Sequence, residues 1–291
     1  MSKKTRFRAY QLGTPGSSFS YSVDNHFTLI EARLNETNCS NVIKEMNIAG
    51  CETINCLHIT SWDKDHCNDE ELKLILQHLK PKRIECPGYT PDTDCGKNSL
   101  KTIRNYCADT PATLQIISPT YLNGLQAGEK LQYNNIVYNP RNLSDKHNDN
   151  SIVQLFRRGR FKVLSLGDCE DEAIARRIMQ CGMANYETDV LILAHHGADN
   201  GFTTKEFIQA IKPRIAICSS DYDNEYDHPR QKIRNILYEA DVMLYTTKTG
   251  DVVIVCGENN TVTAYNLKAN SEEISSKKTF SPKCTVPSNE Y

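Results

Sequence analysis

Carboxylate and imidazole side chains directly follow three apolar runs of this 291-residue chain. They are Asp63, Asp65 and His66 after INCLHIT (54–60), Asp168 after FKVLSLG (161–167), and His195 and His196 after VLILA (190–194). In α/β folds the carboxyl ends of strands collect the ligand-binding side chains. Carboxylates and imidazoles together suit Zn, Mn or Fe without any thiolate, and such an ion can activate water. The sequence therefore predicts a divalent-metal site at the strand ends.

Each candidate taken singly also has an ordinary structural interpretation. An aspartate after a strand is commonly a turn residue or a helix cap, so Asp168 could cap a helix that starts near residue 170. The HHG triplet (195–197) could be a turn. His228 before Pro229 could be a helix entry, since proline favours the first helical position. Four such clusters at successive strand ends favour the functional interpretation.

The elements that must position these side chains are predicted from apolar runs and turn residues. The first third predicts antiparallel strands and the second half alternates strands with helices, which indicates an α/β fold of two sheets with helices outside. The predicted strands are 7–13, 18–24, 27–34, 54–60, 151–159, 160–168, 189–197, 214–220, 242–247 and 251–257. The predicted helices are 40–50, 68–80, 170–182, 203–212 and 229–240, with Asn68 capping the second.

The charge of the chain is balanced. Its 34 Lys+Arg against 36 Asp+Glu give a formal net charge of −2, so there is no bulk attraction for nucleic acid or anionic membranes. A local patch or a bound metal could still attract a polyanion.

No apolar run approaches the roughly 20 residues that cross a bilayer, and the start of the chain lacks the apolar core of a secretory signal. We therefore expect a cytoplasmic protein with no membrane partner.

Two further expectations concern the cysteines and the last residues. The twelve cysteines have no C-x-x-C spacing, which predicts buried, reduced thiols rather than disulfides or a zinc ribbon. Residues 269–291 are rich in Ser, Lys, Glu and Pro, which is typical of a disordered tail. Residues 1–268 are then expected to form one domain.

Four motifs follow one another along the chain. They are SWDKDH (61–66), HNDNSIVQLF (147–156) leading to VLSLGD (163–168), DVLILAHHG (189–197) and NEYDHP (224–229). Their order resembles the metallo-β-lactamase fold and, more narrowly, the soluble domain of the DNA-uptake protein ComEC and its free-standing relatives. The resemblance covers about residues 7–257. It implies a four-layer αβ/βα sandwich with a metal site at one edge of the two sheets, and hydrolysis, often of phosphodiesters.

The resemblance also implies roles for the candidate residues. The ligands of the family's second metal site would be Asp65, His66 and one of His195 and His196, with Asp168 as the residue that bridges two metals. Asp65 would also take part in catalysis. His228 would lie at the rim, where it could donate to a phosphate or a leaving group.

The family's first metal site is depleted in this sequence. Ser61 stands where the family has its first histidine, and Asp63 stands at the second histidine position. A third ligand would come from His147, Asn148 or Asn150, because the family's remaining histidine precedes the bridging aspartate. This pattern implies one tightly held Zn or Mn ion at the Asp65/His66 site and a second, weaker one.

Three functions are compatible with the sequence. The first is a metal-dependent phosphodiesterase or nuclease, whose partner would be a nucleic acid or another phosphodiester. The second is a hydrolase of a small ester, lactone or thioester, since substrate choice is made by loops rather than by the fold. The third is a catalytically silent binding or regulatory module on a degenerate fold, which the missing first-site histidines favour and the retained second-site ligands oppose.

Overall fold

A computed structural model describes residues 4–125, 135–257 and 259–284. The described strands are β1 Thr5–Ala9, β2 Phe19–Val23, β3 His26–Ile30, β4 Cys56–His58, β5 Arg83–Pro87, β6 Thr113–Ile117, β7 Ile136–Asn139, β8 Val153–Phe156, β9 Lys162–Ser165, β10 Thr188–Ile192, β11 Ile215–Cys218, β12 Met243–Thr246, β13 Val252–Cys256, β14 Val262–Leu267 and β15 Ile274–Phe280. The helices are α1 Cys39–Ile48, α2 Asp69–Leu74, α3 Asp94–Asp109, α4 Pro119–Gly124, α5 Glu172–Met179, α6 Gly182–Glu187, α7 Lys205–Ile211 and α8 Gln231–Glu239.

The strands form two sheets. The nine-stranded sheet has the order β15-β14-β13-β1-β2-β3-β4-β5-β6, antiparallel from β15 to β3 and parallel from β3 to β6. The six-stranded sheet has the order β12-β11-β10-β9-β8-β7, parallel from β12 to β9 and antiparallel beyond. The parallel half of each sheet is therefore where strand carboxyl ends, and the loops that follow them, can meet.

Alternation of side chains along each strand gives the core three large apolar layers, beside a smaller cluster that includes Ile117 and Ile152. The inner layer joins the two sheets, for example through Phe7 and Phe156. A second layer, which includes Leu57 of β4 and Ile103 of α3, lies between the outer face of the nine-stranded sheet and α1–α3. A third layer lies between the outer face of the six-stranded sheet and helices α5, α7 and α8. The result is the expected αβ/βα sandwich.

Residues at the end of the described chain correct the expectation of a disordered tail from residue 269. β15 pairs with β14 from Leu267↔Ile274 to Val262↔Phe280 and so extends the nine-stranded sheet. Past β15, the Lys283 backbone N–H donates to the Asp189 carboxylate at 2.7 Å. The Ser- and Lys-rich composition fits an exposed edge strand, whose outward side chains need not be apolar. Residues 285–291, the rest of the expected tail, lie outside the described residues.

The remaining sequence expectations can be compared directly. Asn68 caps α2, since its side chain accepts from the backbone N–H groups of Glu70 and Glu71. All twelve cysteines are free thiols. Among the described residues, no helix has both the length and the apolar character needed to cross a bilayer.

Candidate metal centre

Four of the predicted ligands come together where the two sheets meet. Asp65 and His66 lie in the turn after β4, Asp168 in the turn after β9, and His196 after β10. One ligand atom of each lies within 4.8 Å of the others. His66 and Asp168 are buried, whereas the Asp65 side chain is 34% exposed, so the cluster opens to solvent on the Asp65 side.

The spacing of the ligand atoms suits one small cation. His66 Nε2 lies 2.9 Å from Asp168 Oδ2, and His196 Nε2 lies 3.2 Å from Asp65 Oδ2. The two longer separations, His66 Nε2 to Asp65 Oδ2 and His196 Nε2 to Asp168 Oδ1, are both 3.9 Å. Ligands about 2.0–2.2 Å from a tetrahedral ion lie roughly 3.4 Å from one another. The observed separations bracket that value.

Both imidazoles are held by their other ring nitrogen. His66 Nδ1 lies 3.2 Å from Glu31 Oε1, and the Glu31 carboxylate itself accepts from the hydroxyl and the backbone N–H of Thr60. His196 Nδ1 lies 2.8 Å from the Ser219 carbonyl oxygen. Such partners fix the orientation of metal-binding imidazoles. His66 Nε2 is buried and lacks a well-aligned hydrogen bond despite its closeness to Asp168, as expected of a nitrogen that faces a cation site.

Charges within the cluster compensate one another strongly. Burial alone would lower the pKa of His66, yet Asp168, Glu31 and Asp65 hold it well above its ordinary value. Burial alone would raise the pKa of Asp65 and of Asp168, yet the neighbouring imidazoles lower both. The buried carboxylates therefore favour positive charge at the centre of the cluster. A divalent cation can supply that positive charge to the same oxygens.

His195 and His196 have different surroundings, although they are adjacent and both were candidates. Both have a left-handed backbone, with φ of +45° and +53°, in the short turn that follows β10. This turn directs His196 into the cluster. The His195 Nδ1 atom instead lies 2.6 Å from Glu170 Oε1, outside the four-residue group. Of the pair, His196 is the one that the geometry makes a candidate ligand.

The residues expected at a first metal site are engaged elsewhere. Asp63 accepts from the Ser61 hydroxyl at 2.9 Å, and burial raises its pKa. His147 Nδ1 lies 3.3 Å from an oxygen of Asp92. Asn148 donates to Glu170, and Asn150 exchanges hydrogen bonds with the Ser144 backbone. Within the part of the chain that the structure describes, Asp63 does not belong to any such ligand group.

The HNDN segment has a structural role instead. Asp149 accepts from the backbone N–H groups of Glu170 and Asp171 at 2.8 and 2.7 Å. These bonds hold the start of the loop that follows Asp168. The segment therefore acts on the cluster by fixing the Asp168 loop, which a ligand-spacing argument does not anticipate.

His228 lies beside the cluster and lines a cleft of about 240 Å³, which Asp65 and His196 also line. Its ring is 6.3 Å from that of His196 and nearly parallel to it. Burial, together with the neighbouring His196 and His195, lowers the pKa of His228 to about 4. Its imidazole is therefore neutral near pH 7 and carries one N–H.

Sequence reasoning missed Glu31, Thr60 and Ser219, which hold the cluster from outside. Glu31 directly follows β3, next to β4, so the strand-end rule that found Asp168 also applies to it. Thr60 and Ser219 gave no such signal. Ser219 acts through a backbone carbonyl, which any residue type provides.

The sandwich is a fold of the metallo-β-lactamase type, with the candidate metal cluster at the edge of its two sheets. By sequence the chain is ComEC-like. It is 26% identical over 218 residues to ComE operon protein 3 of Bacillus subtilis and 30% identical over 107 residues to Competence protein ComA of Neisseria gonorrhoeae. These matches cover 72% and 37% of this chain but only 26% and 15% of the two relatives.

A solved structure supports the fold. Igni18, a metallo hydrolase from Ignicoccus hospitalis, superposes with a TM-score of 0.51 at 10% identity and covers 86% of this chain and 98% of its own. Identity this low shows the shared fold alone. No protein-family model matches the chain.

Proposed function

We propose that this protein is a metal-dependent hydrolase that acts on a phosphodiester bond. The observation that carries the proposal is the convergence of Asp65, His66, Asp168 and His196 on one cation-sized space. Two carboxylates and two imidazoles are a donor set that suits Zn or Mn. A divalent ion held there would supply a Lewis acid and an activated water.

The chain's own groups have distinct parts in this proposal. All four side chains would hold the cation, and Asp65, the most exposed of them, also faces the side from which substrate and water would arrive. His228 is neutral and lines the adjoining cleft, so its N–H can donate to an oxygen of the substrate. Glu31 and the Ser219 carbonyl keep the imidazoles in place before substrate arrives.

The phosphodiester part of the proposal follows from what the resemblance to the ComEC-like group implies, since the chain is similar in sequence to ComE operon protein 3. The second candidate is a hydrolase of a small ester, lactone or thioester. It is favoured by the charge of the cleft, whose lining includes Asp221, Asp223 and Glu225 and would repel a polyanionic strand.

A silent module is disfavoured because the four candidate ligands and their supporting partners are all present. We place the activity in the cytoplasm, where twelve free thiols stay reduced.

The test is metal analysis of the purified chain, followed by hydrolysis of bis(p-nitrophenyl) phosphate and of a p-nitrophenyl ester with added Zn and Mn. We expect a bound divalent metal, a faster rate with the diester, and loss of both metal and rate in Asp168→Asn. Glu85→Gln is the matched control, because Glu85 is a buried carboxylate that pairs with His58 outside both the cluster and the cleft. Hydrolysis of the ester alone would support the second candidate, and absence of bound metal would contradict the proposal.

A further inference from the structure

The cleft beside the metal cluster is lined by negatively charged side chains, which is unusual for a phosphodiesterase. Its lining includes His196 and His228, and most of the other lining residues belong to the loop 219–228. The described residues that line it include no lysine or arginine. They do include four carboxylates, namely Asp65, Asp221, Asp223 and Glu225. Three of these carboxylates, Asp221, Asp223 and Glu225, lie on the loop and outside the metal cluster, so the loop side of the cleft attracts cations and repels anions.

An aromatic ring lies among these carboxylates. Tyr226 is 59% exposed, and its ring stacks on the His228 ring at 5.7 Å and 20°. His228 in turn lies nearly parallel to His196. The three rings therefore form a series that leads from the surface to the metal cluster. An exposed tyrosine face flanked by carboxylates is an arrangement that binds organic cations through cation–π attraction.

A separate feature of the cleft also indicates a ligand. His228 is 8% exposed, lines the cleft, and its Nδ1 atom is buried without a hydrogen-bond partner. A buried polar atom without a partner costs free energy. A ligand that occupies the cleft and brings a polar group against His228 would remove this cost.

We propose that this cleft binds the organic ammonium group of a small substrate whose scissile bond lies at the Asp65/His66/Asp168/His196 cluster. The inference rests on the proposed function only for the position of that bond. Asp223 and Glu225 supply the charge, and the Tyr226 ring supplies the face on which the ammonium group rests. The substrate class is then a small cationic or zwitterionic diester or ester rather than a polynucleotide.

The test is calorimetric titration of the full chain, freed of metal with a chelator, using choline as the probe. The control ligand is 3,3-dimethylbutan-1-ol, which has the same shape as choline without the charge. We expect choline to bind at least about tenfold more tightly than the alcohol. Only choline carries the positive charge that the Tyr226 ring and the loop carboxylates attract. Its affinity should fall as salt is added, since the loop carboxylates are exposed to screening.

Two variants locate the binding. Tyr226→Leu and the double variant Asp223→Asn/Glu225→Gln should each weaken choline binding about tenfold or more. Tyr238→Leu should leave it unchanged, because Tyr238 is an even more exposed tyrosine on α8, outside the cleft. Circular dichroism would verify that all three variants are folded.

Several outcomes would overturn the inference. They are equal binding of choline and the neutral alcohol, absence of choline binding, and tighter binding of adenosine that Tyr226→Leu abolishes. Mg²⁺ binding that needs the loop carboxylates but not Tyr226 would assign an inorganic cation instead. Choline binding without any metal-dependent hydrolysis would contradict the proposed function alone, and hydrolysis without choline binding would contradict this inference alone.

Discussion

Glu31 controls the orientation of His66 without facing the candidate cation space itself. Its Oε1 atom lies 3.2 Å from His66 Nδ1, and both of its oxygens accept from Thr60. In Glu31→Gln the side chain keeps its shape but loses its charge, so it orients and polarises the imidazole less well. We expect metal affinity to fall about 10–100-fold, the usual effect of removing such a partner. Competition titration with a fluorescent chelator measures this directly.

Glu85→Gln is the matched control for that experiment. Glu85 pairs with His58 at 2.9 Å, so it is also a buried carboxylate–imidazole pair in the same sheet, but it lies outside the cluster. The control variant should lower the free energy of unfolding without changing metal affinity. Equal effects of the two substitutions on metal affinity would show that Glu31 acts only through general stability.

The second prediction is that each chain binds one ion tightly. Asp63 is bonded to Ser61, and the side chains expected to complete a first site are engaged with Asp92, Glu170 and the Ser144 backbone. Titration of the metal-free chain with Mn or Zn should therefore show a single tight step, with any second step much weaker. Asp63→Asn should leave the tight step unchanged, whereas His66→Ala should remove it. Two equally tight ions would contradict this prediction.

The residues of the cluster could be predicted to different degrees. Asp65, His66 and Asp168 were found because each follows an apolar run, and neighbouring strand ends meet in space. The choice between His195 and His196 could not be made from sequence, because it depends on two successive left-handed residues that turn one ring inward and the other outward. The assignment of metal ligation itself remains a prediction.

At the scale of elements, the turn after β10 is the feature on which the cluster depends most. Gly197 ends this turn with φ of +82°, and a Cβ atom there would lie 2.7 Å from Cβ of Pro229. Gly197→Ala therefore meets both backbone strain and a rigid neighbour. We expect a loss of at least about 1–2 kcal/mol in the free energy of unfolding, from the strain alone. We also expect weaker metal binding, because His196 must shift with the turn.

Urea unfolding of the chelated protein measures the first effect, and metal titration measures the second. Gly182→Ala is the control, since a Cβ atom there would come no closer than 3.7 Å to the Tyr186 ring. Unchanged metal binding in a folded Gly197→Ala protein would mean that the turn does not position His196.

The elements that sequence reasoning found are those with clear apolar runs and caps. The strand–helix alternation of the second half is confirmed, with helix and strand ends shifted by a few residues. No elements were predicted for most of the stretch 81–150, where β5, α3, β6, α4 and β7 lie. β6 explains why, since its residues are mostly half-exposed at the edge of the sheet, and such strands carry a weak apolar pattern. α3 likewise buries little, and its polar composition resembles a loop.

At the scale of the whole molecule, the composition of the last residues was misleading. Polar residues without an apolar pattern indicated a tail, yet β15 needs only one inward contact and a backbone partner to join the sheet. Phe280 packs against the inner core layer, and β14 supplies the backbone hydrogen bonds. An apolar periodicity in the sequence indicates which side chains are buried. It gives no information about backbone pairing at the edge of a sheet. The nine-stranded sheet therefore extends further than an apolar pattern could show.

Asp189 joins this last segment to the centre of the molecule, and its burial makes stability depend on pH. Its carboxylate is fully buried and accepts from the backbone N–H groups of Lys162 and Lys283. Burial raises its pKa to about 6, although those N–H groups and the two lysine charges oppose the rise. Because the folded pKa lies above the unfolded value near 3.9, the folded state favours the protonated form. The contribution of Asp189 to stability is therefore full below about pH 4 and is lost as the pH rises through 6.

Asp189→Asn isolates this effect, because asparagine does not titrate. The asparagine accepts hydrogen bonds less well, but the stability that the variant loses in this way does not depend on pH. The difference in unfolding free energy between the natural chain and the variant should therefore change with pH only because the carboxyl group of Asp189 titrates. A shift of about two pKa units corresponds to about 3 kcal/mol, so the natural chain should lose roughly that much relative to the variant between pH 4 and pH 7. Urea unfolding of both proteins across this range measures the difference. Parallel stability curves would show that Asp189 is ionised at no cost, which its complete burial between two backbone donors makes unfavourable.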